Sequence, residues 1–238
     1  MYLAFLLTVV VYVVVVVIRG KLRMKKLLSL SSTEGIRVKH SLKNIIFGCA
    51  TLLALFVMCL FAGISFTNIG LRPISFDYNI LFTVITLVLC GLIFVQFLYQ
   101  AISPKYKKTE KDLGDPSKSS YNKVLETLLP RTREEKIAAA IDSVTTGIYE
   151  EILARGFLFY VLQMQFPNLS IIFVVLITSL VFGIAHFYQG IQGIIMTTVA
   201  GILLGFLFVV TGSLIPSIFL HFFVNFSDVF TVKEEKSI

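Results

Sequence analysis

Seven stretches of this chain are apolar almost from end to end, and the polar residues gather in the gaps between them. The runs cover residues 1–18, 44–66, 79–99, 137–166, 169–187, 194–210 and 214–230. An α-helix needs roughly 20 residues to cross the hydrocarbon core of a bilayer. Each run comes close to that length or exceeds it. Backbone in lipid must satisfy its own hydrogen bonds, which a helix does within itself. The pattern therefore predicts an all-α fold, a polytopic bundle of about seven transmembrane spans. The fourth run is longer than a perpendicular crossing requires, so a tilt or a partly interfacial start is expected.

The gaps divide the chain into parts. Residues 1–99 make three spans with a basic connector at 27–43, and residues 100–136 a polar loop broken by Pro104, Gly114, Pro116 and Pro130. Residues 137–230 form a four-helix membrane core, and 231–238 a polar tail. Within the loop, Asp115 to Ser120 read as a turn. Residues 121–129 fit either a short amphipathic helix at the membrane surface or solvated loop. Pro167-Asn168 and Thr211-Gly212-Ser213 give tight turns, and Gln189 to Gly193 a break. Gly201 and Gly205 have the small-residue spacing that lets membrane helices approach closely.

Composition narrows the class. Only 15% of residues are charged, 56% are hydrophobic and the mean hydropathy is +0.87, whereas soluble domains carry about 25% charged residues. The net charge of +7 raises the question of a nucleic-acid partner, but its distribution answers against one. All but Arg72 and Arg155 of the 21 Lys and Arg residues lie in residues 19–43, in the 100–136 loop and in the tail. Cytoplasmic segments carry that excess, so the chain is expected to run N-out and C-in as a multi-pass protein of the cell membrane. The first run lacks the basic start and small-residue cleavage site of a secretory signal. Cys49, Cys59 and Cys90 lie inside apolar runs without metal or redox spacing.

The polar residues within the spans are Asp142, Glu150, Glu151, Arg155, His186, His221, Asn225 and Asp228. Charge at membrane depth is costly and persists where it pairs or does chemistry. Glu151 and Arg155 are four residues apart with the acid first, the favourable order for a helical pair. Glu150 is rotated about 100° from them. His221 and Asn225 share a helix face, with Asp228 near it. Phe182 precedes His186 by one turn and would cover its imidazole. His40 falls in the basic connector and reads as solvated. A lone histidine in a span usually bonds a neighbouring helix. Two histidines, two glutamates and an asparagine on three helices instead supply a general base, a proton carrier and oxyanion donors.

The ordered patterns Glu-Glu-x-x-x-Arg, Phe-x-x-x-His and His-x-x-x-Asn, at Glu150, Glu151 and Arg155, Phe182 and His186, and His221 and Asn225, resemble the CPBP (Abi) family of intramembrane proteases. That family includes the type II CAAX prenyl endopeptidases and bacteriocin-processing or immunity proteins. Arg155-Gly156-Phe157-Leu158 and Thr211-Gly212-Ser213-Leu214 match as well, so the likeness spans residues 149–225. The first three spans resemble no family. The resemblance implies a glutamic endopeptidase without cofactor or metal, acting on a membrane-associated peptide or protein, with the oligomeric state open. Glu150 would activate water, with His186 positioning it and moving protons. His221 and Asn225 would stabilise the oxyanion, Glu151 and Arg155 would orient the site, and Phe182 would shape the pocket. In the span map His186 lies nearer the inner end than Glu150 and His221, so a tilted glutamate helix and a cavity open to the cytoplasm are expected. The Lys-, Ile- and Phe-rich chain looks bacterial, which favours a leader peptide, pheromone or membrane protein as substrate.

Two alternatives stand beside this one. Two histidines and a glutamate can bind Zn²⁺, although no His-Glu-x-x-His is present. A non-catalytic adaptor or immunity protein could keep the same bundle to bind a sensor kinase or a toxin. Serine and aspartyl chemistry fit less well, because Ser213 and Ser217 lack a Gly-x-Ser-x-Gly setting and no Gly-x-Gly-Asp occurs. A transporter would need paired discontinuous helices.

Overall fold

The computed structural model describes residues 2–29, 35–103 and 120–230, and among these every regular element is helical. Of the turn expected at Asp115 to Ser120, residues 115–119 lie outside the described residues, as does the tail, and Ser120 instead opens a helix. In chain order the elements are α1 (Tyr2–Ser29), α2 (Ile36–Ala62), α3 (Ile80–Ile102), α4 (Ser120–Leu128), α5 (Arg133–Glu151), α6 (Phe159–Gln165), α7 (Ile171–Ala185), α8 (Gly190–Thr211) and α9 (Leu214–Ser227). Short 3₁₀ turns follow α7 and α9.

Helix α3 states the solvent most plainly. Its buried residues are Thr83, Thr86 and Cys90, while Leu81, Val84, Ile85, Val88, Leu92 and Val95 are exposed. Large apolar side chains outside and small ones at the helix contacts are the reverse of a soluble helix and suit lipid. Ile36–Ala62, Ile80–Ile102 and Phe187–Thr211 are long and apolar enough to cross a membrane, and Ile171–Ala185 and Leu214–Phe230 are apolar but shorter. This is a membrane protein.

Several element boundaries differ from those the hydropathy pattern predicts. α1 continues through the basic run to Ser29, and α2 starts at Ile36, because Lys and Arg are good helix formers. His40 is therefore helical rather than part of a connector. α8 starts at Gly190, so the break expected at Gln189 to Gly193 shrinks to the 3₁₀ turn Phe187–Gln189. α5 starts at Arg133, ahead of the apolar run. Thr132 caps it by accepting the Glu135 N–H, and the Glu135 carboxylate accepts the Thr132 N–H, the reciprocal capping box of a Thr-x-x-Glu sequence. Of residues 121–129, for which helix and loop were both open, 121–128 are helical, within α4.

The bundle is pinned at both ends. At the basic end, Arg37 of α2 donates to Thr127 O at 2.9 Å and pairs with Glu135 at 3.4 Å, tying α4 and α5 to α2. At the other end the 63–79 loop is stitched to the turn between α8 and α9. Leu214 N–H donates to Gly70 O at 2.9 Å, Ser75 N–H to Thr211 O at 2.8 Å and Ser213 Oγ to Arg72 O at 2.6 Å. Between the ends, Leu55, Ile69, Phe157, Val161, Val174, Val175, Phe208 and Leu214 form the main core.

Candidate active site

The helix carrying the two glutamates does not stay α-helical. α5 ends at Glu151, Ile152–Leu158 wind as a π-helix, and α6 resumes at Phe159. A π segment adds a residue to the turn and re-aims the side chains around it, which is why such segments gather at functional sites. Arg155 lies within it, and Phe157 and Leu158 are turned into the core.

Glu151 and Arg155 are completely buried and 2.7 Å apart. The guanidinium also donates to Gly201 O on α8 at 3.0 Å and lies over the Phe182 ring of α7, 4.6 Å from its centroid. On its other side Glu151 Oε1 meets His221 Nδ1 of α9 at 2.8 Å. One ion pair thus links α5, α8 and α9. A buried ion pair persists only when its remaining hydrogen-bonding capacity is met, and Gly201 and His221 meet much of it.

Glu150 points elsewhere, as the 100° rotation requires, into a cavity of about 330 Å³. Its Oε1 accepts a hydrogen bond from Tyr149 OH at 2.9 Å. Its Oε2 is buried and has no hydrogen-bond partner among the described residues, yet it lies 3.8 Å from His221 Nε2 and 4.0 Å from His186 Nε2. His186 and His221 thus approach the same carboxylate oxygen from different helices. α7 ends at Ala185, so His186 caps a helix of only 15 residues, about 22 Å at 1.5 Å per residue. His186 Nδ1 is held at 2.9 Å from Phe182 O, which leaves Nε2 for the cavity. The Phe182 ring lies 4.7 Å from the His186 ring and 5.9 Å from that of His221, a wedge between the two imidazoles and Arg155. Asn225 and Asp228 line the same cavity.

Of the seven motif residues, Glu150, Phe182, His186, His221 and Asn225 therefore line one cavity, while Glu151 and Arg155 are buried behind it and reach it through His221 and Phe182. The structure adds others that the pattern did not signal. Tyr12 and Arg19 of α1 and His40 and Asn44 of α2 form much of the opposite wall. His40 is half-buried rather than solvated, because the start of α2 at Ile36 turns its face toward α5. Asn44 bridges His40 and Asp142, at 3.3 Å from each, and Thr146 donates to Asp142 at 3.2 Å. Helical spacing alone gives the signal for Thr146, since Asp142, Thr146 and Glu150 share one face of α5. Glu150, His186 and His221 are the nearest approach to a ligand set, but among the described residues no group of three His, Cys, Asp or Glu is arranged to hold a metal ion.

A membrane protein of packed helices with a carboxylate set between two imidazoles is the class these observations define. Residues 133–227 match the family model described as Type II CAAX prenyl endopeptidase Rce1-like, and this is the segment that carries the three motifs. No curated protein and no solved structure matches the chain. α1, α2, α3 and α4 lie outside the matched segment.

Proposed function

We propose that the protein is a multi-pass intramembrane endopeptidase of the cell membrane that hydrolyses a peptide bond in a membrane-associated peptide or protein, with Glu150 as the base that activates water. One observation carries this reading: Glu150 Oε2, buried and without a hydrogen bond, faces two imidazole nitrogens at 3.8 and 4.0 Å. Those separations exceed a direct hydrogen bond and suit a shared water. A water there touches a carboxylate that takes its proton and an imidazole that holds it in line. General-base catalysis of this kind contributes about 10²–10⁴-fold.

The roles follow from what each group already touches. His186, held through Nδ1, positions the water and passes the proton on to the leaving amine. His221, whose Nδ1–H donates to Glu151, stabilises the developing oxyanion as the imidazolium, with Nε2–H donating to it, and Asn225 one turn later presents its amide to the same charge. Glu151 and Arg155 orient His221 and bind the helices together. Phe182 excludes water and keeps the imidazoles apart. The substrate enters from the basic end, where the cavity reaches Met24, Leu128 and Pro130. This wall joins the segments rich in Lys and Arg, which the charge bias assigns to the cytoplasm in a bundle of seven spans running N-out and C-in. A leader peptide, pheromone or membrane protein remains the favoured substrate.

Glu150→Gln keeps the size and the Tyr149 contact and removes the base. Membranes with this variant are expected to accumulate an uncut peptide in quantitative proteomics, with the variant present at wild-type levels and cleavage reduced by about 10²-fold or more. Unchanged cleavage, or an unchanged cellular phenotype, would return the chain to the adaptor reading, which needs the bundle but no base.

A further inference from the structure

Tyr149 belongs to none of the three motifs. Its side chain is buried, stands edge-on to Phe47 of α2 at 6.4 Å, and fills a notch in α2 at Gly48. A Cβ at position 48 would fall 2.6 Å from Tyr149 Cδ1 and 2.9 Å from Thr145 Cγ2, so the ring fits only because that position has no side chain. From this seat the hydroxyl donates to Glu150 Oε1 at 2.9 Å. The other oxygen, Oε2, is the one left facing His186 and His221.

We propose that Tyr149 is the positioning residue of the site, pinning Glu150 in the rotamer that aims Oε2 between the two imidazoles, with Gly48 of α2 as its seat. The proposal rests on the hydrolase reading. A glutamate side chain has three torsions, each with alternative wells, and a base acts only within hydrogen-bond reach of the proton it takes. A donor that occupies one carboxylate oxygen removes most of those wells and decides which oxygen meets the water. Tyr149 does this from the cavity wall, through its contact with the Glu150 carboxylate. Its seat lies on α2, outside residues 133–227, so the N-terminal helices acquire a part in the chemistry: they set the geometry of the base.

The test uses the full chain purified in detergent. Peptides released by wild-type but not by Glu150→Ala membranes are identified by quantitative peptidomics, and one of them is synthesised as a fluorogenic probe. Tyr149→Phe keeps the ring on its seat and deletes only the hydroxyl. Its kcat is expected to fall about ten-fold, the worth of a hydrogen bond of about 1.4 kcal/mol, with KM and melting temperature unchanged. Gly48→Ala retains the hydroxyl but drives the ring off its seat and should lower kcat in the same way; if Tyr149→Phe fails to fold, this variant decides alone. Wild-type kcat in the two variants, or a raised KM with kcat intact, overturns the positioning role and leaves the hydrolase reading standing. If wild-type and Glu150→Ala membranes release the same peptides, the hydrolase reading falls and this proposal falls with it.

Discussion

Adjacent glutamates with different fates are the clearest lesson at the scale of single residues. Glu151 is buried against a guanidinium and an imidazole, while Glu150 opens on a cavity. The i,i+4 spacing to Arg155 made that division legible, because a helix turns by a fixed angle per residue. The link from Glu151 to His221 was not legible, since it joins residues 70 apart in the chain and depends on how α9 lies on α5. Nor was the Tyr149 contact: neighbours on a helix diverge by about 100°, and only the reach of a tyrosine closes that gap. Arg155→Ala leaves Glu151 buried beside an empty space. A loss of about 3–5 kcal/mol is expected, read as a sharp drop in melting temperature in detergent and in membrane abundance. His221 sits in contact with the same carboxylate, so the variant should lose catalysis even where it remains folded.

Elements meet where side chains are smallest. Gly201 and Gly205 place α8 directly on α7: a Cβ at Gly205 would stand 2.9 Å from Val175 Cγ1, and one at Gly201 would stand 3.0 Å from Arg155 Nη2 and 3.1 Å from Ser179 Cβ. Gly205→Val should cost about 1–3 kcal/mol by overpacking and, by prising α7 from α8, shift His186 away from Glu150. Gly91→Ala, with nothing within 4 Å of its new Cβ, serves as the control and should melt like the wild type. The spacing of these glycines could be read from the chain, and so could the apolar runs. The π segment could not, because Ile152–Leu158 are apolar in either winding and hydropathy does not register one added residue in a turn. A second aromatic seat joins α1 to the site. Tyr188, two residues after His186, packs its ring on Gly20, where a Cβ would fall 2.7 Å from Tyr188 Cδ1, and Lys21 lies over the Phe187 ring at 4.3 Å.

For the molecule as a whole, the proposed topology makes a directional prediction. With Cys49, Cys59 and Cys90 replaced by serine, Asn68→Cys in the loop after α2 should react with a membrane-impermeant maleimide on intact cells. Lys123→Cys on α4 should react only after permeabilisation. Labelling in the opposite sense would reverse the orientation and the side from which substrate enters. The zinc-dependent alternative is decided at the same scale. Cleavage by the purified protein should survive prolonged treatment with strong chelators, and its loss with restoration by Zn²⁺ would move the water-activating role from Glu150 to a metal.

Hydropathy and motif order by themselves determined that this is a helical membrane protein, that Glu150 and Glu151 stand apart, and that a CAAX-endopeptidase-like set of side chains lies between residues 150 and 225. These are properties of local period and of residue type, which a linear sequence carries directly. Only the tertiary structure decided that His40, Asn44 and Tyr12 belong to the cavity wall, that His221 is held by Glu151, and that Tyr149 rests on α2 while bonding Glu150. Each of those depends on how close one helix comes to another. That distance is set by small residues such as Gly48 and Gly201, whose partners across the bundle no reading along a single helix can name.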